Sequence, residues 1–245
     1  MDEQSSNNPM EIWSEYNRHK FWLLLTRMRL FLALEIHPQI VSAFTILHKY
    51  LQEKTSTPYS VTILVVTSLF VATKATETPR LMKVIFNAFL QSAKDIYQKF
   101  SKDENFLNFL GFSDFTPREM TVEEIKQVNS CEIDLLSAIN FQLDLKLPFS
   151  HLKRIVEPFL DSCEKKMKYE LTTEIHKGIC ISLLSTIGSQ MDPSIIAAAA
   201  VFNGFTTQNI QIPPDIESWI AELSTKAGDN WSTALQVTLP PKKPS

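Results

Sequence analysis

The stretch TPYSVTILVVTSLFVATKATETPR, Thr57 to Arg80, decides the fold. From Val61 to Ala72 nearly every residue is apolar or a small hydroxyl residue. Val61-Thr62-Ile63 and Val65-Val66-Thr67 are β-branched and favour strands locally. Length argues the other way. The run from Tyr59 to Thr73 is about fifteen residues unbroken, longer than most strands. A helix apolar on every side has to be wrapped by other helices, so this one is expected at the centre of a bundle. Pro58 suits the first turn of such a helix, where a missing N–H is not needed. The run falls short of the ~20 apolar residues that cross a bilayer. Lys74 emerges where the apolar run stops.

Composition agrees with a helical reading. The 245 residues are 44% hydrophobic with only 5 glycines, and strand-and-turn punctuation is scarce. An all-α fold is expected, as one large domain or two of roughly 100–125 residues. A net charge of −3 gives no electrostatic reason to bind nucleic acid. Cys131, Cys163 and Cys180 form no CxxC pair, and an odd count argues for thiols in a reducing compartment. The opening MDEQSSNNP is polar and acidic, unlike a secretory signal. A cytosolic or nuclear location is expected.

Outward from the central stretch, Met1 to Asn8 reads as a loose tail. Pro9 to Arg18 reads as a lead helix with Ile12, Trp13 and Tyr16 on one face. Lys20 to Glu35 forms a second helix. Pro38 opens a third, with Val41, Phe44, Leu47 or His48, and Leu51 at helical spacing. Arg80 to Lys99 repeats the amphipathic pattern through Leu81, Val84, Ile85, Phe89 and Ala93. Ser101 to Met120 breaks the rhythm, but its Phe and Leu residues imply an ordered excursion. Thr121 with Glu124 three residues on has the pattern of a capping box, opening a helix that continues to about Ile139.

After Pro148 the plan begins again. Phe149 to Leu160, interrupted by Pro158, is one helix or two short ones, and Leu171 to Ser189 is amphipathic. Asp192-Pro193 starts a second apolar helix, SIIAAAAVFNGF, whose small residues allow close approach. Pro213-Pro214 opens an acidic helix through Trp219, and Gly228 precedes a last short segment. The expected organisation is a tail and lead helix at 1–19, a first module at 20–147, a second at 148–239 and a flexible tail at 240–245.

Catalytic signatures are missing: no P-loop, GxGxxG, HExxH or GxSxG pattern occurs. His19, His37, His48, His151 and His176 are scattered without metal-ligand spacing and read as structural. No carboxylate pair stands out. The sequence therefore offers no catalytic residue, no metal site and no cofactor, and the chain is expected not to be an enzyme.

Two segments carry a resemblance. FTILHKYLQE (Phe44 to Glu53), followed by LFVATKATETPRLMKVI (Leu69 to Ile85), resembles the cyclin box. CEIDLLSAINFQLDLKLPFSHL (Cys131 to Leu152) is similar to the closing helix of that box, with Glu132 nine residues before Phe141 at the helix exit. MDPSIIAAAAVF (Met191 to Phe202) resembles the central helix of a second box. The likeness runs from about Leu30 to Pro213. The His48-Lys49 pair, the ETPR turn and the Trp219 segment look closer to transcription-associated cyclins of the C, K, L and T types than to cell-cycle cyclins.

The resemblance implies tandem cyclin boxes, each of about five helices around a buried one. It implies a nuclear regulatory subunit that forms a heterodimer with a cyclin-dependent kinase and activates it. The residues matching the family's kinase contacts are Lys74, Glu132, Ile133, Leu136, Phe141 and Leu143. Each also has a plainer role: Lys74 as a charge at the negative end of a helix dipole, Glu132 as a solvated carboxylate, the apolar four as core. Ala75 is smaller than the residue many relatives carry. Met28-Arg29-Leu30-Phe31-Leu32 imitates the substrate-docking motif of mitotic cyclins but falls near the end of its helix rather than the start. The alternatives are a cyclin-fold transcription factor resembling factor IIB, an unrecognised helical enzyme and a kinase-free scaffold.

Overall fold

The computed structural model describes residues 14–54, 56–99 and 103–240. The expected tail and the side chains of Ile12, Trp13 and Tyr16 lie outside the described residues, as do positions 241–245. Among the described residues all regular structure is helical, as an all-α fold requires. The chain divides into two compact units between Leu145 and Lys146.

In the first unit, helix α1 spans Glu15–Leu32, capped by Ser14, whose hydroxyl accepts from the Asn17 N–H at 3.4 Å. It runs unbroken through His19, so the lead helix and the second helix expected from the sequence are one helix here. It also stops three residues short of Glu35, where Ala33 turns left-handed at φ 50°. Pro38 sits in a wide π-type turn, Ile36–Ile40, and α2 begins after it at Val41–Glu53. Val41, Phe44, Leu47, His48 and Leu51 are all buried.

Helix α3, Val61–Ala75, is the central element and packs on every other helix of the unit. It starts later than the apolar run suggests. The Ser60 hydroxyl accepts from the Ile63 N–H at 3.3 Å and fixes the first turn there. Pro58 therefore lies outside the helix, beside Thr57, whose hydroxyl is bonded to Tyr50 and to the Tyr59 N–H. The helix closes through a left-handed Glu77 (φ 55°) and a 2.9 Å bond from the Thr78 N–H to the Thr73 carbonyl. Arg80 then ties this turn to α1 by donating to the Leu32 carbonyl at 3.2 Å.

Helix α4, Met82–Lys99, buries Ile85, Phe86, Phe89 and Ala93. Leu81 and Val84, expected on the same face, are exposed. Leu81 precedes the first helical residue, and Val84 lies about 100° around the helix from Ile85. From Asp103 to Met120 the excursion is ordered, with α5 at Glu104–Leu110 and Phe106, Leu110 and Phe115 buried. Helix α6, Val122–Ala138, begins with both bonds of the expected capping box: Glu124 N–H to the Thr121 hydroxyl at 3.1 Å, and Thr121 N–H to the Glu124 carboxylate at 2.8 Å.

The second unit opens with a 3₁₀ turn at Pro148–His151, then two short helices, α7 at Leu152–Ile155 and α8 at Glu157–Ser162, the latter with Pro158 in its first turn. Helix α9, Lys165–Leu184, begins earlier and ends earlier than the sequence pattern suggests. Asp192 caps α10, Pro193–Thr207, whose Ala197 to Val201 are almost wholly buried. Helices α11, Pro214–Ala227, and α12, Asn230–Val237, complete the wrapping of α10. Close approach bears on glycine at three places, most of all at Gly188, where a Cβ would run into the Ser182 backbone carbonyl. A Cβ at Gly204 would stand 2.8 Å from Ile175 Cγ1, and one at Gly178 would stand 3.0 Å from the Thr238 carbonyl oxygen.

Candidate partner-docking face

Two elements of the first unit bring the site together. Helix α3 is buried from Val61 to Thr73 apart from a partly covered Phe70, and its end reaches the surface with Lys74. Helix α6 sets Val128, Cys131, Leu135 and Ala138 against the core. This spacing of three and four residues fixes its rotation and turns Glu132, Ile133 and Leu136 outward. Tyr59 reinforces that register, donating to the Asp134 carboxylate at 2.9 Å.

The structure joins Lys74 and Glu132. The Lys74 ammonium donates to Glu132 Oε1, and it lies 4.2 Å from the centre of the Phe70 ring. The lysine is half-exposed and the glutamate mostly covered. A pair in such a setting contributes only about 0–1 kcal/mol to folding. Its larger effect is geometric, because each side chain holds the other in one orientation. The ammonium has three donors, and this bond uses one of them.

Around the pair the surface is apolar. Ile133 is 62% exposed and Phe141 64% exposed, Leu143 is exposed as well, and Leu136 is half-covered. The chain leaves α6 through two consecutive left-handed residues, Asn140 (φ 51°) and Phe141 (φ 57°), held by a 2.8 Å bond from the Phe141 N–H to the Leu136 carbonyl. A bulky residue rarely adopts that conformation. Lys74 and Glu132 are thus in direct contact, Ile133 and Leu136 flank them on α6, and Phe141 and Leu143 follow at its exit.

Helix α6 exposes two further apolar residues that the sequence reading did not single out. Val122 and Ile125 are also exposed, and each lies eleven residues before Ile133 and Leu136 respectively. Counting back by eleven, about three helical turns, would have found them.

Elsewhere the chemistry is quiet. Burial pushes the Cys131 thiol up to about 12, far from a reactive thiolate. Among the described residues no cluster of His, Cys, Asp or Glu is arranged to hold a metal ion. No described helix is long and apolar enough to cross a membrane. A groove of about 340 Å³ lies between the excursion and helices α3, α4 and α6, floored by Ile63, Phe86, Leu90 and Phe112. At its rim Arg118 grips both oxygens of Glu124 at 2.8 and 2.6 Å. The MRLFL stretch lies in the last turns of α1, with Leu30 and Phe31 exposed and Met28 and Leu32 buried.

The arrangement is an all-α fold of two helical units, the first of which carries a mixed charged and apolar face. No protein-family profile matches the sequence, and no curated protein is similar to it. Among solved structures the chain is similar to one from the CAK complex of Chaetomium thermophilum bound to ATP-gamma-S, with a TM-score of 0.50 and 14% identity. The likeness covers 92% of this chain and 61% of that one, so this chain spans about three fifths of its neighbour. At this identity the likeness is one of fold.

Proposed function

We propose that this chain is a regulatory subunit that binds a cyclin-dependent protein kinase and activates it, without carrying out chemistry itself. The observation that carries the reading is the contact between Lys74 at the end of α3 and Glu132 on α6, with exposed Ile133, Phe141 and Leu143 beside it. A rigid charged pair within an apolar patch suits a partner helix that presents apolar side chains and a few backbone groups. Pressed against the kinase C-helix, the face would drive it inward and bring its glutamate to the strand lysine that holds the ATP phosphates. Moving a kinase from about 1% to 99% active requires roughly 5.5 kcal/mol of differential binding. Covering Phe141 adds at most about 1.5–3 kcal/mol to binding, and it counts toward this shift only as far as the active kinase alone makes the contact. The resemblance to transcription-associated cyclins makes a nuclear kinase acting on the transcription machinery the partner of choice.

The test is a panel of purified cyclin-dependent kinase catalytic subunits, titrated with the chain and with Lys74→Glu and assayed for phosphoryl transfer. One kinase is expected to bind and gain activity, Lys74→Glu is expected to lose both with its helical circular dichroism intact, and the chain alone is expected to transfer no phosphate. Normal affinity after the charge reversal would remove the kinase from this face.

A further inference from the structure

We propose that Thr116, in the stretch 112–121 between α5 and α6, is a phosphorylation site for a protein kinase that selects threonine followed by proline, and that its phosphate takes Arg118 away from Glu124. Neither part depends on kinase docking at Lys74.

Thr-Pro occurs at Thr57, Thr78 and Thr116, and the fold treats the three differently. Thr57 is buried, and its hydroxyl is bonded to Tyr50 and to the Tyr59 N–H. Thr78 is half-buried in the turn that closes α3, where its hydroxyl accepts from the Gln39 amide at 3.2 Å and lies 3.1 Å from the Thr76 hydroxyl. Thr116, Pro117 and Arg118 are all exposed. Proline fixes its own φ and steers the residue before it to extended backbone. Among the described residues, none of 113–120 makes a backbone-to-backbone hydrogen bond. Side chains hold the stretch instead. The Phe115 ring lies 5.5 Å from Phe112 and 5.7 Å from Tyr97, and the Arg118 N–H donates to Asn87 Oδ1 at 3.1 Å. A kinase therefore meets Thr116 on open chain and breaks no helix to reach it.

In the transfer, Thr116 Oγ1 attacks the γ-phosphorus of ATP. The Oγ1–P bond forms as the bond from phosphorus to the β,γ-bridging oxygen breaks, ADP leaves, and the hydroxyl proton passes to the catalytic aspartate of the kinase.

The surrounding charges decide where the phosphate turns. The Thr116 hydroxyl donates to the Asp114 carboxylate, and its N–H does so at 2.9 Å; together they hold that carboxyl below its ordinary value. Phosphorylation removes the hydroxyl donor and sets a charge of about −1.5 to −2 beside the acid, which repels it. Arg118, two residues on, is the cation at hand. Its guanidinium grips both Glu124 oxygens and lies 5.0 Å from the centre of the Phe86 ring. A phosphate carries more charge and more acceptor oxygens than the carboxylate that it competes with. The Arg118 side chain is half-exposed, and a surface pair exchanges at small cost. Glu124 keeps its bond from the Thr121 N–H, so α6 stays capped. Asp114, Arg118 and Glu124 all line the groove over Phe86 and Phe112, so the exchange changes the charge along that rim.

The experiment incubates the purified chain with ATP and a panel of purified kinases that select Thr-Pro, beside a peptide spanning 110–124, and maps the phosphate by mass spectrometry. Label is expected on Thr116 and not on Thr57 or Thr78, with Thr116→Val unlabelled and Thr116→Ser labelled. A folded chain left unlabelled at Thr116 overturns the site, whether or not the peptide is labelled, and so does equal labelling of Thr57 or Thr78. Phosphorus NMR then titrates the phosphate. Contact with Arg118 is expected to bring its second pKa below the usual ~6, and Arg118→Gln to restore that value. The Glu124 carboxyl, which Arg118 foremost holds at about 2, is expected to rise toward the ordinary carboxylate range on phosphorylation. A phosphate whose titration ignores Arg118→Gln, or a Glu124 carboxyl that stays at about 2, overturns the exchange.

Discussion

Helices α3 and α10 are each fifteen residues long, and each lies at the centre of its own unit, yet they are made of opposite materials. α3 is built from Val, Ile, Leu and Phe, which fill the space around it. α10 offers Ala197 to Ala200 and Gly204, which yield space so that α9, α11 and α12 can come close. They also end differently. α3 finishes on Lys74, bonded to Glu132, whereas the last turn of α10 has no basic residue. A buried helix can therefore organise a unit by bulk or by its absence, and only the bulky one here delivers a charge to an apolar surface.

The sharpest test of that difference is functional. Lys74→Glu should cost more than a hundredfold in kinase affinity, measured by calorimetric titration. Thr207→Glu, at the corresponding end of α10, should leave affinity unchanged within about twofold. Equal losses would mean that the second unit carries a contact of the same weight.

The difference in material predicts opposite responses to changes of size. Leu64→Ala in α3 removes a fully buried side chain and should destabilise by about 3 kcal/mol, through lost burial and the cavity left behind. Ala199→Leu in α10 adds volume where Ala199 packs with Ala227 and Ala234, and should cost about 2 kcal/mol by overpacking. Urea unfolding of the two variants checks both. A neutral Ala199→Leu would show that the close approach around α10 has slack.

Acid should loosen the units in sequence. Burial, helped by the nearby charges of Arg18 and Lys49, holds the His48 imidazole down at about 4, against an ordinary value of 6.5. His48 is neutral in the folded chain while the unfolded chain takes up a proton, so stability present above pH 6.5 is lost as pH falls to 4. The loss from this group is on the order of 3 kcal/mol, from a fall of about 2.5 pH units at about 1.4 kcal/mol each. In the second unit the Ser194 hydroxyl, its backbone N–H and Lys226 hold the Asp192 carboxyl at about 2, against 3.8. Its contribution is lost only between pH 3.8 and 2, and solvent screening keeps it to about 1 kcal/mol. His48→Gln should flatten the stability profile between pH 6.5 and 4 and leave the lower step in place.

Much of this was legible in the sequence because it depends on local signals. The apolar runs identify α3 and α10, and Thr121 with Glu124 marks the start of α6. The meeting of Lys74 with Glu132 was legible only through resemblance, since 58 positions separate them and no local pattern links them. Other errors came from competing local rules. Pro58 fits a helix start, but the Ser60 hydroxyl two residues later makes the stronger cap. Leu81 matches the period of α4 but lies before the helix begins. Val122 and Ile125 were not singled out because they lie before Cys131, where the stretch that carries the resemblance begins. Only the burial of Val128, Cys131 and Leu135 shows which face α6 keeps for itself.

The smallest effect separates the two helix starts. At α3 the Ser60 hydroxyl accepts one N–H bond, at 3.3 Å. At α10 the Asp192 carboxylate accepts from the Ser194 N–H at 2.8 Å and the Ser194 hydroxyl at 2.6 Å, and Lys226 donates to its other oxygen at 3.1 Å. Charged acceptors bind more strongly than neutral ones, and a carboxylate also gains from the positive end of the helix dipole. Asp192→Ala should therefore cost about 1.5 kcal/mol and Ser60→Ala about 0.5 kcal/mol, within the range for lost caps. Asp192→Asn keeps an acceptor but no charge, so it should fall between them and be insensitive to pH between 3.8 and 2. Thermal unfolding at pH 7 and pH 3 measures all three variants. If Asp192→Asn loses as much as Asp192→Ala, the stabilisation at α10 comes from charge, and the geometry of the cap contributes little to it.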